Sequence, residues 1–451
     1  MTPTNTSPIA AVVMAAGLGT RMRSRLPKHL HPLLGRRLMD WPIAAARELT
    51  PDPLVVVLSP ETAEAAGTVD GARTALQQEP RGTGDAVASA RDELEGFHGD
   101  VLVLSGDTPL LTAALLHDLV AEHRRLGAEV TVLSFEPPDP SAYGRVVRSA
   151  DGSLSAIVEA ADASPKELAI REVNSSIYVF SADALWPAVD RLDAHNAQGE
   201  LYLTDTVRNI VEEGGAGAVH LSPDPVEALG VNTRVDLADA AAALRDRINE
   251  AHMLAGVGII DPRTTWIEAG VELEENVVLH PFTVLAGNTK VASGASIGPH
   301  AVVVDAVVEA DAIVGPFCYL RPVTVVEAGA KAGTFVEIKN SRIGARTKVP
   351  HLSYIGDTDI GEDTNIAAAN VTANLSHRPG VGKGRTTIGR NVRTGVDNTF
   401  DAPVQIGDDA WLAPGSVITE DVPPGSLAGF APRQTTKEGW VYENRGSRND
   451  D

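Results

Sequence analysis

From Ile267 to Ile418 aliphatic residues recur every six positions. Leu273, Leu279, Leu285, Val291 and Ile297 keep that spacing without a slip, and Val308, Val314, Leu320 and Val326 form a second train. After irregular steps come Ile343, Val349 and Ile355, then Ile360 and Ile366, and later Ile406, Leu412 and Ile418. A period of six fits neither the 3.6 of a helix nor the alternation of an ordinary strand. It fits a parallel β-helix in which each short strand and its turn take one hexapeptide. The aliphatic side chain is expected to point inward and stack on its counterpart in the next coil. The residue after it is usually small or acidic, as at Gly298, Gly315, Gly344, Gly356, Gly361, Gly389 and Gly407. That residue is expected to permit the tight turn.

Ahead of the repeat the pattern changes. Short apolar runs, Ile9 to Met14, Leu54 to Leu58 and Val101 to Leu104, read as buried strands. From Val235 to about Ala255 the chain is Ala-rich and helix-prone, as a linker between domains would be. At 451 residues the chain is too long for one ordinary core. The resulting division is 1–233, a helical linker 234–255, a solenoid 256–425, and a C-terminal arm and tail 426–451.

Charge narrows the function. Lys plus Arg is 38 against 60 Asp plus Glu, a net charge of −22, which argues against non-specific binding to nucleic acid or anionic membrane. An anionic substrate would then need local cations. Cys318 is the single cysteine, so no intrachain disulfide can form. The run Ile9 to Leu18 lacks a preceding basic segment and contains Gly17, unlike a signal peptide. No run approaches the roughly 20 apolar residues of a membrane helix, so a cytoplasmic location is expected.

Several segments carry chemistry. The strand Ile9 to Met14 enters a glycine loop and then a basic segment with Arg21 and Lys28. Such a loop offers backbone N–H groups to an anion, although alone it fits a plain strand-to-helix connection as well. It is neither the dinucleotide fingerprint, since Met22 takes the third glycine position, nor a P-loop. Asp107 follows a strand in Ser105-Gly106-Asp107, where ligands bind in open α/β sheets. A Mg²⁺ ion there would bridge phosphate oxygens; alone, the Asp would also serve as a cap or turn residue. In the second half of the solenoid Arg321 and Lys339 suit a sugar phosphate. His351 suits the removal of a proton from a sugar ammonium.

The pattern AAGLGTRM followed by LPKHLHPL resembles the signature of the sugar-nucleotide pyrophosphorylases. Within that group the chain is most similar to bacterial bifunctional N-acetylglucosamine-1-phosphate uridyltransferases / glucosamine-1-phosphate acetyltransferases, across residues 9–441. The resemblance implies a doubly wound α/β nucleotidyltransferase domain followed by a left-handed β-helix with three strands per coil, usually trimeric. It implies UTP and N-acetylglucosamine-1-phosphate as substrates of the first domain, and acetyl-CoA and glucosamine-1-phosphate as substrates of the second. For the nucleotide and sugar it implies Met14, Ala15, Ala16, Gly17, Gln77, Gly82, Thr83, Ser105, Gly106, Asp107, Gly144, Glu159, Asn174 and Asn232. Arg21 and Lys28 would be catalytic, and Asp107 and Asn232 would hold Mg²⁺. In the second domain His351 would be the base, with Arg321, Lys339, Tyr354 and Asn365 on the sugar phosphate. Ala368, Asn374, Val396 and Ala413 would meet acetyl-CoA.

Three departures stand out. Ala161 replaces a common Lys, Asn174-Ser175-Ser176 replaces Asn-Thr-Gly, and Asn374-Leu375-Ser376-His377 replaces Asn-Tyr-Asp-Gly in a loop that is also longer. That loop offers His377, Arg378, Lys383 and Arg385 as contacts for the phosphates of acetyl-CoA. Two rival readings follow: a uridyltransferase with the solenoid as a trimerisation scaffold, or a nucleotidyltransferase for another hexose such as glucose. A non-enzymatic trimeric binding protein would predict losses at Lys28, Asp107 and His351, and there are none.

Overall fold

The first strand, Ile9–Ala15, is apolar at every position because it feeds two cores at once. Ala10, Val12 and Met14 pack into one, and Ala11, Val13 and Ala15 into the other. A computed structural model describes residues 7–375, 382–430 and 434–444. The chain forms two compact units, Met1–Leu244 and Arg245–Asp451.

In the first unit the sheet order is Gly217–Leu221, Val130–Phe135, Val173–Ser181, Asp100–Ser105, Ile9–Ala15, Leu54–Leu58 and Arg73–Leu76. Neighbours are parallel except Val173–Ser181, which is antiparallel to both its partners. Asp40–Arg47 and Ala113–Leu126 cover one face. Thr83–Ala88, Ala182–Asp190 and Asp205–Glu212 cover the other. This is the doubly wound α/β arrangement, with one reversed strand that the apolar runs did not announce. The order in which strands are added reverses about Ile9–Ala15: the next strands add on one side, and Asp100–Ser105 returns to the other. The crevice at such a switch point is where open α/β sheets bind ligands.

The second unit is a solenoid of short parallel strands. Leu279 pairs with Ile297, Leu285 with Val303 and Val314 with Ala332, so one coil takes three hexapeptides, or 17 residues where one is dropped. The six-residue period therefore makes three flat faces. The inward positions Leu285, Val303, Leu320, Ile338 and Ile355 have no exposed surface. Each such side chain contributes roughly 1.5–3 kcal/mol. The coil spacing rises to 28 residues between Thr372 and Phe400, where the inserted loop leaves and returns. The helix Arg234–Leu254 spans the boundary between the units. In the second unit, buried Asn249 donates from Nδ2 to the carbonyls of Pro262 and Thr265, each at 2.9 Å, which fixes the helix end onto the first coil.

The turns correct the sequence reading. Gly298 and Gly315 do turn at positive φ, 100° and 111°. Gly344, Gly356, Gly361, Gly389 and Gly407 do not. At all of these but Gly356, where a Cβ would meet the Tyr354 side chain, the missing side chain lets neighbouring coils approach: a Cβ on Gly361 would lie 2.6 Å from Arg390 N. The left-handed corner residue is usually another, such as Asp311, Phe317, Asn340, Arg346 or Asp363.

Candidate active sites

In the first unit, parallel pairing places Met14 beside Ser105, and Gly106 N–H donates to Met14 O at 2.8 Å. The loop Ala15-Ala16-Gly17 and the segment Ser105-Gly106-Asp107 thus leave the sheet side by side. Asn232 is brought to them by a reciprocal cap. Asn232 N–H and Thr233 N–H both donate to Asp236 Oδ2 at 2.8 Å, and Asp236 N–H donates to Thr233 Oγ1 at 3.2 Å. Val231 N–H donates to Asp107 O at 2.8 Å, tying the two segments together.

Five polar side chains then converge. The Lys28 ammonium pairs with Asp107 Oδ2 and donates to Asn232 Oδ1 at 3.2 Å. Arg21 Nη2 donates to the same Asn232 oxygen at 2.9 Å. Ser105 Oγ donates to Asp107 Oδ1 at 2.6 Å. Burial acts to raise the Asp107 pKa, but the Lys28 ammonium, His29 and the Ser105 hydroxyl together more than offset it, and the carboxyl stays below its ordinary range. Arg21, Ser105, Asp107, Tyr143, Asn174 and Asn232 line one cleft of about 620 Å³.

Gln77 is buried beside this edge, and its Nε2 donates to Gly82 O at 3.0 Å and Asp85 Oδ2 at 2.9 Å, leaving its carbonyl oxygen for a ligand. Gly82 turns at φ 115°, and a Cβ there would lie 2.5 Å from Leu201 O. Thr83 Oγ1 accepts from Leu203 N–H at 3.0 Å. Asn174 is held by Gly144, whose carbonyl accepts from its N–H at 2.8 Å, and it donates from Nδ2 to Tyr178 at 2.7 Å. Glu159 lies beside Gly144 but lines a separate recess of about 270 Å³ with Tyr202 and Thr204. Thr204 Oγ1 donates to Glu159 at 3.1 Å, and burial raises the carboxyl above its usual range.

Two features here escaped the motif reading. His29 is buried, with its pKa lowered to about 4 by burial and by Lys28, and its ring packs under Gly17 and Gly106. Tyr202 lines the Glu159 recess with its hydroxyl buried. Ser176, the departure noted above at the family's glycine position, stands at φ 63°, a conformation glycine adopts freely, and its N–H donates to Asn174 Oδ1 at 3.0 Å.

In the second unit, coil register sorts the candidates. Arg321 follows Leu320 and Lys339 follows Ile338, its partner, so the two cations are neighbours at one edge of a face. Arg321 Nη1 donates to Glu337 at 2.9 Å, and Glu337 pairs with Tyr354 on the same face. Glu337 was overlooked, although it lies two residues from Lys339 and so on the same side of a strand. Tyr354 pairs with Val371, Val371 with Thr399 and Thr399 with Val417. The same steps carry exposed His351 at the other edge to Ala368 and then to Val396, with Ala413 close to the next step. Asn365 lies on a different face, bridged to Lys348 and Arg393.

The inserted loop starts and ends as a hairpin, with Leu375 paired antiparallel to Lys383. That pairing sets Lys383 against Lys339, and the neighbouring ammonium lowers the Lys339 pKa. Lys383 therefore joins the Arg321 and Lys339 group. Arg385 is engaged by Asp359, to which its Nε donates at 2.6 Å. Asn374 Nδ2 donates to Asp357, as does Asn340. His377, Arg378 and residues 445–451 lie outside the described residues.

A family model described as a MobA-like NTP transferase domain matches residues 11–203. Over nearly the whole length the chain is similar to proteins named bifunctional protein GlmU. That of Streptomyces avermitilis is 46% identical, covering 97% of this chain and 95% of its own. That of Corynebacterium efficiens is 44% identical, over 97% and 94%. That of Mycobacterium tuberculosis strain H37Ra is 45% identical, over 97% and 92%.

Proposed function

The chain belongs to the bifunctional GlmU family, and from that premise we propose how its residues divide the work of making UDP-N-acetylglucosamine. It is a uridyltransferase and an acetyltransferase. We assign the uridyltransferase to 1–233 and the acetyltransferase to 256–425, with 234–255 joining them and 426–451 as arm and tail.

The observation that carries the uridyltransferase assignment is the convergence of Lys28, Arg21, Asp107 and Asn232 beside the glycine loop. Sugar-1-phosphate oxygen attacks the α-phosphorus of UTP, and pyrophosphate leaves. No covalent intermediate is needed, so positioning and charge neutralisation supply the rate. Lys28 and Arg21 meet the α-phosphate. Gln77, Gly82 and Thr83 take the base end, and Gly144, Glu159 and Asn174 the sugar.

Mg²⁺ fits the donor set. Asp107 and Asn232 turn one carboxylate and one amide oxygen toward a shared cation, Lys28. Among the described residues no three His, Cys, Asp or Glu side chains cluster, which suits an ion that keeps waters and phosphate oxygens as its other ligands. When bound, the ion would neutralise charge on the phosphates.

In the solenoid, Arg321, Lys339 and Lys383 hold the phosphate of glucosamine-1-phosphate. His351 takes the proton from its amine as acetyl-CoA, lying along Ala368, Val396 and Ala413 near Asn374, gives up the acetyl group. Tyr354 and Asn365 complete the sugar site. The candidates fall on two faces of one chain, which supports a site built between copies, and we propose a homotrimer. A stacked ladder at the corner below His351 supports it too: Phe282, His300, Phe317 and Phe335, with ring centres 4.6, 4.8 and 5.2 Å apart. The three Phe are about half exposed, an apolar ridge suited to a partner. Among the described residues no helix is long and apolar enough to cross a membrane. A cytoplasmic location fits the supply of UTP and acetyl-CoA.

The test is product analysis. Purified protein given glucosamine-1-phosphate, acetyl-CoA, UTP and Mg²⁺ should yield UDP-N-acetylglucosamine, pyrophosphate and free CoA by mass spectrometry. A uridylated but unacetylated sugar would leave the solenoid as a scaffold.

A further inference from the structure

We propose that Lys28 is the resident countercharge of the cation site and must leave it before a divalent ion enters, so that ion and nucleotide bind cooperatively. The inference rests on the reading of Asp107 and Asn232 as ion ligands. Lys28 is 7% exposed, and its ammonium contacts both oxygens that the ion would use, Asp107 Oδ2 and Asn232 Oδ1. Arg21 occupies the same Asn232 oxygen. One carboxylate thus faces a lysine already paired to it.

A divalent ion placed beside that lysine would set three positive charges against one carboxylate, where burial keeps water from screening them. The ion therefore binds poorly while Lys28 stays. A nucleotide changes the balance. Its α-phosphate offers Lys28 and Arg21 charge-assisted hydrogen bonds, and Asp107 and Asn232 are released to the ion.

The stem of Lys28 lies against Gly19 of the glycine loop. Gly19 turns at φ 61°, and a Cβ there would clash with Lys28 Cβ and stand 3.3 Å from Cγ and Cδ. Only glycine at this position leaves the stem room to lie against the loop. Ser105 holds the other carboxylate oxygen at 2.6 Å, so Asp107 keeps its orientation while its partner changes. Coupling of this kind is reciprocal: what the phosphate does for the ion, the ion does for the phosphate.

The experiment is a Mn²⁺ titration followed by electron paramagnetic resonance, on the full chain without turnover. Wild type, Lys28→Met and Asp107→Asn are compared with and without uridine monophosphate, at matched free Mn²⁺. Lys28→Met should bind Mn²⁺ alone about tenfold more tightly than wild type. Uridine monophosphate should raise the Mn²⁺ affinity of wild type several-fold more than that of Lys28→Met, where only direct ligation by the phosphate remains. Equal affinity of the two proteins for Mn²⁺ alone, or equal gain from the nucleotide, overturns the proposal. Should Lys28→Met fail to fold, the wild-type comparison decides: no gain from the nucleotide overturns it. Undiminished Mn²⁺ binding by Asp107→Asn with nucleotide present would instead overturn the assignment of the ligands.

Discussion

Lys383, carried by the inserted hairpin, stands against Lys339, and the second ammonium holds the Lys339 pKa below its ordinary value. Arg321 adds a third positive charge nearby, in a chain of net charge −22. Cations gathered against their own repulsion mark a place for an anion. Lys383→Ala should raise the KM for glucosamine-1-phosphate about tenfold, the worth of one charged hydrogen bond, and change kcat less. An unchanged KM would remove Lys383 from the phosphate site.

Ser176 occupies a left-handed conformation at φ 63° that costs a non-glycine residue about 1–2 kcal/mol. Glycine relieves that strain but gains freedom in the unfolded chain, worth about 0.4–1 kcal/mol. Ser176→Gly should therefore stabilise the first unit by up to about 1 kcal/mol. Thermal unfolding would show it as a rise of about 2–4 °C. A fall in Tm would mean that the Ser176 side chain contributes more than its strain.

His123 is buried against Thr131, its Nδ1 2.9 Å from Thr131 Oγ1, and burial lowers its pKa. In the unfolded chain the imidazole titrates near its usual value of about 6.5. Between the folded value and that point the unfolded state binds more protons, so stability falls as the pH drops below about 6.5. Denaturant melts from pH 7.5 to 5.5 should show the decline, with a shallower slope in His123→Gln. Equal slopes would place the acid sensitivity elsewhere.

The stacked ladder predicts an assembly. Light scattering should give three chains of 47.3 kDa. Phe317→Glu puts a charge between His300 and Phe335 in the ladder and should shift the particle toward a single chain, with loss of acetyl transfer. A particle of unchanged size would move the contact to another face.

Much of this was legible in the sequence because it depends on repetition or on local motifs. The six-residue period required only that inward side chains stack, and Leu285 over Val303 does so. The motif around Ser105-Gly106-Asp107 was readable because a strand end fixes where its next residues point. Contacts between distant segments were not. Nothing local says that the Lys28 ammonium bridges Asp107 and Asn232, residues 79 and 204 positions away. The reversed strand Val173–Ser181 is buried like its neighbours, and burial on both faces erases the signal of direction. Lys383 was read as a partner for acetyl-CoA because the hairpin that turns it toward Lys339 has no pattern of its own. The glycines of the repeat were seen but misattributed, since a close approach between coils and a positive φ both select glycine.

The central claim is two independent sites in one chain, and paired variants test it most directly. Asp107→Ala should cut uridyl transfer roughly 100- to 1,000-fold and leave acetylation of glucosamine-1-phosphate near wild type. His351→Ala should cut acetylation roughly 100- to 10,000-fold and still convert added N-acetylglucosamine-1-phosphate to UDP-N-acetylglucosamine. Rates are to be measured separately, by pyrophosphate release and by CoA thiol release. If each variant loses both activities together, or if His351→Ala acetylates at the wild-type rate, the division of labour argued above is wrong.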